Sequence, residues 1–336
     1  MARTTARTQT ATDNADAARL AEQLGSLPLA LEQASAYINR NRLRLAAYLE
    51  KWQKERQTLL NWSNQRLMKY PDSVAVTWKR TFDDVSPSAQ TVLLLNAFFA
   101  PDNIPVAMLE SQPELLHEAR ALHTGTREET NIDLADAIAE LDEYSLIGRI
   151  GDFISVHKMV QEVMRSWMAE DARSQWNHIA LDVVNEYPPG DPAPSDVRSW
   201  PIWEPLRPHA QKVIEHGERA GADERLSILA NNLGQYLYAR ALYAEAEPLM
   251  RRALEIDEAS LGSGHPRVAI DLNNLALLLK ATNRLSEAEP MMRRALEIFQ
   301  ISLGGDHPHT VKVANNLARL MAELNAQGED VSEAVN

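Results

Sequence analysis

NNLGQYLYARALYAEAEPLMRRALEIDEASLGSGHP (231–266) and NNLALLLKATNRLSEAEPMMRRALEIFQISLGGDHP (273–308) are copies of one another, offset by 42 residues and identical at 21 of 36 aligned positions. A third copy opens with NNLARL at 315. Self-similarity at a fixed period of this length belongs to stacked supersecondary units, none of which buries its apolar face alone. Such stacks share a continuous surface, so the first expectation is a binding scaffold rather than an enzyme.

Within one unit Leu226, Leu229, Leu233, Tyr236 and Leu237 recur at helical spacing, and Ala246, Met250, Ala253 and Leu254 do so again after a break near 241–244. Each unit is therefore read as helix, turn, helix. Ala246 and Ala253, with Ala288 and Ala295 in the next copy, sit where two helices must approach closely. His265-Pro266 and His307-Pro308 each follow a Leu-Gly. That order fits a glycine that stops one helix, a capping residue, and a proline in the first turn of the next.

Leu233-Gly234, Leu237, Ala246, Met250 and Ala253 fall at the spacing of the tetratricopeptide repeat, and the 42-residue length with its LG…HP junction resembles the longer subtype of kinesin light chains and many bacterial regulators. The resemblance implies a mainly α fold ending in a short α-solenoid, with the first helix of each unit lining a concave, peptide-binding groove. Helical geometry independently names the groove residues. With Leu233 pointing inward at 100° per residue, Asn231, Gln235 and Tyr238 point roughly the other way, as do Asn273, Leu277, Lys280, Asn315 and Arg319 in later copies. Asparagine costs roughly half a kcal/mol against alanine in a helix, yet it recurs three times. Its amide can both donate to and accept from a peptide backbone. The competing reading is structural: the asparagine pairs, above all Asn232 and Asn274, bond between neighbouring helices. Lys280 and Arg319 point to an acidic or C-terminal carboxylate element in the partner.

The front of the chain reads as a disordered leader (1–14) and a helical segment (15–70). Gly25-Ser26-Leu27-Pro28-Leu29-Ala30-Leu31 sets a glycine stop close to a first-turn proline. It resembles the GLPLAL motif closing the nucleotide-binding part of NB-ARC proteins, ATPases of the STAND class. In that family the proline packs on the adenine of ADP, here Pro28. Residues 74–170 read as a separate domain: a helix at 86–100, the segment IPVAMLES (104–111), a helix at 131–145, a hairpin about Gly151-Asp152 and a closing helix at 158–168. This is similar to the winged-helix domain that comes next in the same family, whose Met-His-Asp motif sets its histidine on the ADP phosphate. Here Val156-His157-Lys158 stands at that place, so only His157 agrees.

A helix at about 172–187 and a proline-rich linker complete 171–199. Repeats fill 200–325, with a degenerate capping unit on Trp200 and Trp203, and 326–336 is expected to be a disordered tail. Because the third copy stops after one helix, Leu317 and Leu320 are expected on a face that a second helix would cover: either Leu320, Met321 and Leu324 make a partial cap, or the C-terminal edge self-associates.

Net charge is −13, and residues 74–168 hold 7 Lys+Arg against 15 Asp+Glu. The helix that would enter a DNA groove carries Asp133, Asp136, Glu140, Asp142 and Glu143 and no base. Phosphate contacts need Lys or Arg, so neither nucleic acid nor an anionic membrane is an expected partner. The chain has no cysteine and no GxxxxGK[ST] phosphate loop. No cofactor, metal or catalytic residue is expected; Asp306-His307-Pro308-His309 reads as a repeat junction. The leading expectation is a cytoplasmic, non-catalytic scaffold for a protein or peptide partner. The alternative is a remnant or trans-acting half of an ADP/ATP-responsive switch, with Pro28 and His157 as vestigial nucleotide contacts.

Overall fold

The computed structural model describes residues 11–23, 28–52, 72–126, 132–221 and 223–334. The chain divides into two compact units, Met1–Val183 and Val184–Asn336.

The first unit opens with α1 (Ala11–Gln23), α2 (Pro28–Arg40), α3 (45–52) and α4 (Asp72–Asp84). Helix α1 begins inside the stretch expected to be a leader, so that expectation fails from Ala11 onward. Alanine and leucine favour helix strongly enough to carry it back through Asp13 and Asn14. Residues 25–27 of the Gly-Ser-Leu-Pro motif lie outside the described residues. Buried Tyr37 ties α2 to α3 and α4: its ring lies 5.5 Å from Tyr48, its hydroxyl donates to Asp84, and Arg80 Nε donates to it at 2.7 Å.

Helix α5 (Pro87–Asn96) is the axis around which the rest of this unit packs, buried from Thr91 to Asn96 all round. Ser86 caps it, accepting from Ala89 N at 3.2 Å, and Glu140 accepts in turn from Ser86 N at 3.0 Å. After it come β1 (Ile104–Pro105), α6 (Val106–Glu110), α7 (Pro113–Thr124), α8 (Leu134–Glu143), β2 (Gly148–Ile150), β3 (Phe153–Ser155) and α9 (Lys158–Trp167). The strands form an antiparallel sheet in the order β1-β3-β2, with Ile150 opposite Phe153 and Ile104 opposite Ile154. The hairpin turns at Gly151-Asp152, where Gly151 has φ +59°. IPVAMLES divides into strand and helix at Pro105, which precedes the first turn of α6 and needs no N–H there. Gln161 of α9 closes the end of α5, donating to the carbonyls of Asn96 (2.9 Å) and Phe99 (3.1 Å). The Asn96 carbonyl, at the end of the helix where the regular ladder stops, also accepts from Phe99 N at 3.4 Å. Helix α10 (Glu170–Glu186) then runs across the boundary between the units.

The second unit stacks α11 (Trp200–Ala220), α12 (Glu224–Ala239), α13 (Tyr243–Leu261), α14 (Pro266–Ala281), α15 (Leu285–Leu303) and α16 (Pro308–Ala334). Helix α11 takes the place of a second helix in a preceding repeat. Arg252 of α13 pairs with Glu218 of α11 at 3.8 Å as Arg294 of α15 pairs with Glu258 of α13 at 2.6 Å. Trp203 stacks on Tyr236 across the α11–α12 seam (5.9 Å, 19°), and the Arg240 guanidinium lies 4.8 Å over Trp200. At the junctions Gly262 and Gly304 have φ of +87° and +89°. His265 and His307 then cap the next helices, accepting from Arg267 N and His309 N, each at 3.3 Å. Pro266 and Pro308 come next, in the first turn.

Two expectations fail at the end of the stack. Leu317 and Leu320 are buried, because α15 covers the face on which they lie. Helix α16 continues to Ala334, through most of the expected tail, carried by alanine and glutamate and not stopped by Gly328.

Candidate functional site

The first helices α12, α14 and α16 bring the expected groove residues into three rows at the repeat period: Asn231/Asn273/Asn315, Gln235/Leu277/Arg319 and Tyr238/Lys280. Asn315 and Arg319 are exposed; Asn231, Gln235, Tyr238, Leu277 and Lys280 are half-buried. Asn273 is 5% exposed and does not face open solvent as helical projection predicts. The packing of successive repeats closes over this position in the middle unit.

Hydrogen bonds explain the asparagines. Asn274 Nδ2 donates to Asn231 Oδ1 at 3.1 Å, and Asn316 Nδ2 donates to Asn273 Oδ1 at 3.0 Å. Each bond joins the second asparagine of one NN pair to the first of the pair before it. Asn273 Nδ2 also reaches Asn274 Oδ1 at 3.4 Å. The amides thus lace the first helices together. The pairing partner of Asn274 is Asn231, not Asn232. Each amide has four hydrogen-bonding positions, so the ladder retains capacity beyond its own links.

The expected cation pair is also modified. Lys280 Nζ makes an ion pair with Glu323 at 2.7 Å, whereas Arg319 projects from the exposed side of α16. Tyr238 lies 5.8 Å from Tyr243, and burial raises its phenol pKa. The accessible part of these rows is therefore amide, aromatic, aliphatic and guanidinium in character, with little net charge.

A buried polar cluster that the sequence reading missed lies between α12, α13 and α14. Ser227 donates to Asp257, and Arg267 Nε pairs with Asp257 Oδ2 at 3.1 Å while also reaching Glu224. Asp271 lies beside them, 4% exposed, with no hydrogen-bond partner for its Oδ2. Burial, then the Asp257 carboxylate, push the Asp271 pKa up to about 8, while Arg267 opposes them. The copies carried the signal, since position 271 is Asp where the neighbouring units have Leu229 and Val313.

Pro28 stands exposed at the start of α2, and exposed His157 caps α9, its Nδ1 accepting from Met159 N at 3.2 Å. His307 and His309 stack on one another at 5.3 Å, and His309 stacks on Phe299 at 5.6 Å. Among the described residues no group of three or more His, Asp or Glu side chains is gathered to hold a metal, and no helix is long and apolar enough to cross a membrane.

Residues 225–301 match the tetratricopeptide repeat model, and residues 80–173 match a domain of unknown function, DUF7779. A nucleotide-binding leucine-rich repeat (NLR)-like protein of Hyaloscypha variabilis (strain UAMH 11265 / GT02V1 / F) is 28% identical over 274 residues, which are 75% of this chain and 25% of that protein. The chain thus spans about a quarter of the relative's length. The crystal structure of BtubC (BKLC) from P. vanneervenii is similar at 16% identity and a TM-score of 0.34, over 66% of this chain and 82% of that one. The fold is mainly α and carries a tetratricopeptide solenoid. The tetratricopeptide match fits a protein-interaction scaffold.

Proposed function

We propose that the repeats hold an extended peptide of a protein partner along α12, α14 and α16, without catalysis or cofactor, in the cytoplasm. The observation that carries this reading is positional. Gln235, Leu277 and Arg319 are one repeat position in three successive helices, and none is buried. Tyr238 and Lys280 flank them in the same way. The asparagine ladder backs this row and fixes the spacing of the helices, while Asn315 faces solvent at its open end. With Lys280 paired to Glu323, Arg319 is the groove cation that selects an acidic side chain or C-terminal carboxylate.

Selection of peptides displayed on phage against the full chain tests this. Enriched peptides should share an acidic element and lose binding by about tenfold or more with Arg319→Glu or Leu277→Glu. Enrichment indifferent to both substitutions would discard the groove.

The first unit is read as a helical ARC-like segment (15–70) and a winged helix (74–170). The order α5, β1, α6–α7, α8, β2, β3 supports the second assignment, and the acidic face of α8 argues for a role other than DNA binding. A nucleotide-responsive switch is the second reading, favoured by the NLR-like relative and by exposed His157 at the start of α9. Calorimetry with ADP on the wild type and on His157→Asn, which keeps a capping side chain, decides it. Binding lost in the variant would establish the switch, and absence of heat in the wild type would remove it.

A further inference from the structure

The third copy of the repeat leaves open a face that the first two keep covered. Ser227, Ala230, Gly234 and Leu237 of α12 are buried, as are Ala269, Leu272, Ala276 and Leu279 of α14. Helices α13 and α15 supply the cover, each packing more extensively on its own first helix than on any other element. The fit is close: a Cβ added to Gly234 would stand 2.7 Å from Met250 Cγ. The corresponding residues of α16 are Val311, Ala314, Ala318 and Met321. Val311 is 46% exposed, Ala318 is exposed, and Ala314 and Met321 are half-exposed. The opposite face of α16, through Val313, Leu317 and Leu320, is buried against the stack. Among the described residues no second helix lies over the open face.

The covered copies state what this face accepts. Helix α13 buries Ala246, Met250, Ala253 and Ile256, and α15 buries Ala288, Met292, Ala295 and Ile298. In both, the four fall at i, i+4, i+7 and i+10, one stripe of an amphipathic helix. The methionine is the residue that enters the shallow seat left by Gly234, and Ala318 is that seat in α16. An unbranched thioether adapts to such a seat at little cost.

Charge adds a second requirement. Where α15 lies beside α13, Arg284 Nη1 pairs with Glu247 Oε2 at 2.8 Å and Glu287 reaches Arg251 at 4.0 Å. Glu289 and Arg293 stand at those same two positions of α15, on the edge next to the open face, and pair with one another. A helix that continues the row would meet them with an arginine four residues before its first stripe alanine and a glutamate one residue before it, as α15 meets α13.

We propose that the open face of α16 is a docking site for an amphipathic helix of a protein partner, one that presents Ala, Met, Ala and Ile at i, i+4, i+7 and i+10 behind an Arg-x-x-Glu turn and completes the third repeat. The site is independent of the groove rows and takes a helix rather than an extended chain.

The test titrates the full-length chain into a fluorescently labelled synthetic peptide with the sequence of residues 284–303 and reads anisotropy. Saturable binding is expected. It should weaken by about tenfold or more when Ala318→Glu places a charge in the seat, and equally when the peptide carries Met292→Glu. Met321→Gln, a milder change, should weaken it in the same direction. Circular dichroism melts of both chain variants should match the wild type, since neither position is buried. The proposal is overturned if no saturable binding develops up to about 1 mM chain, or if Ala318→Glu leaves the affinity unchanged. It is also overturned if the chain sediments as a dimer that Ala318→Glu converts to monomer, which would make a second copy the occupant.

Discussion

Asp271→Asn should abolish a loss of stability that the wild-type protein suffers as pH rises. The Asp271 carboxyl lies in the core among Asp257, Arg267 and Ser227, its Oδ2 unpartnered, and its pKa is raised from 3.8 to about 8. Over that window the folded chain keeps the proton while the unfolded chain releases it. The folded state binds more protons, so stability falls with rising pH and levels off above about 8. Each pH unit inside the window removes about 1.4 kcal/mol, or about 4 kcal/mol between about pH 5 and about pH 8. An asparagine of the same size does not titrate, and its packing adds an offset that does not vary with pH. Urea unfolding followed at several pH values across this range gives the difference between variant and wild type. That difference should grow by about 4 kcal/mol in favour of the variant from the acid to the basic end. Parallel stability curves for the two proteins would refute the account of the buried pair.

Asn273→Ala leaves Asn316 without its acceptor inside the stack, and thermal unfolding should report a loss of about 1–3 kcal/mol; a neutral result would mean the ladder is ornamental and the asparagines serve a ligand. Gln161→Leu removes a buried donor to the carbonyls of Asn96 and Phe99. It should cost about 2–3 kcal/mol in chemical denaturation, and an unchanged midpoint would contradict the closure of α5 by α9. Ser86→Ala removes a cap and a partner of Glu140. A loss of about 1–2 kcal/mol is expected by the same assay, and none would show that α5 is held by burial alone.

The repeats were legible because their period states both helices and their junctions: glycine, histidine cap and proline recur at fixed offsets and do the same job each time. The hairpin was legible for the same local reason, a Gly-Asp pair between alternating apolar residues. Strand β1 escaped because two residues carry no periodicity, and its pairing with β3 is a long-range event. Helical projection placed Gln235, Leu277 and Arg319 on an accessible face but missed the burial of Asn273, since projection treats a helix in isolation and the next repeat closes over it. Leu317 and Leu320 are expected on an uncovered face because the third copy shows one helix, but α15 of the preceding unit covers them. Asp271 was visible in principle as the one charged residue in a column of Leu229 and Val313. Its coupling to Asp257 was not, because 14 residues separate them on different helices.

Amide hydrogen exchange of the full chain, with and without an acidic peptide selected on it, tests the central claim most directly. The groove account predicts new protection concentrated in α12, α14 and α16, centred on the turns bearing Gln235, Leu277 and Arg319, and lost in Arg319→Glu. Protection confined to the first unit, or to α13 and α15 with the three first helices unchanged, would contradict it.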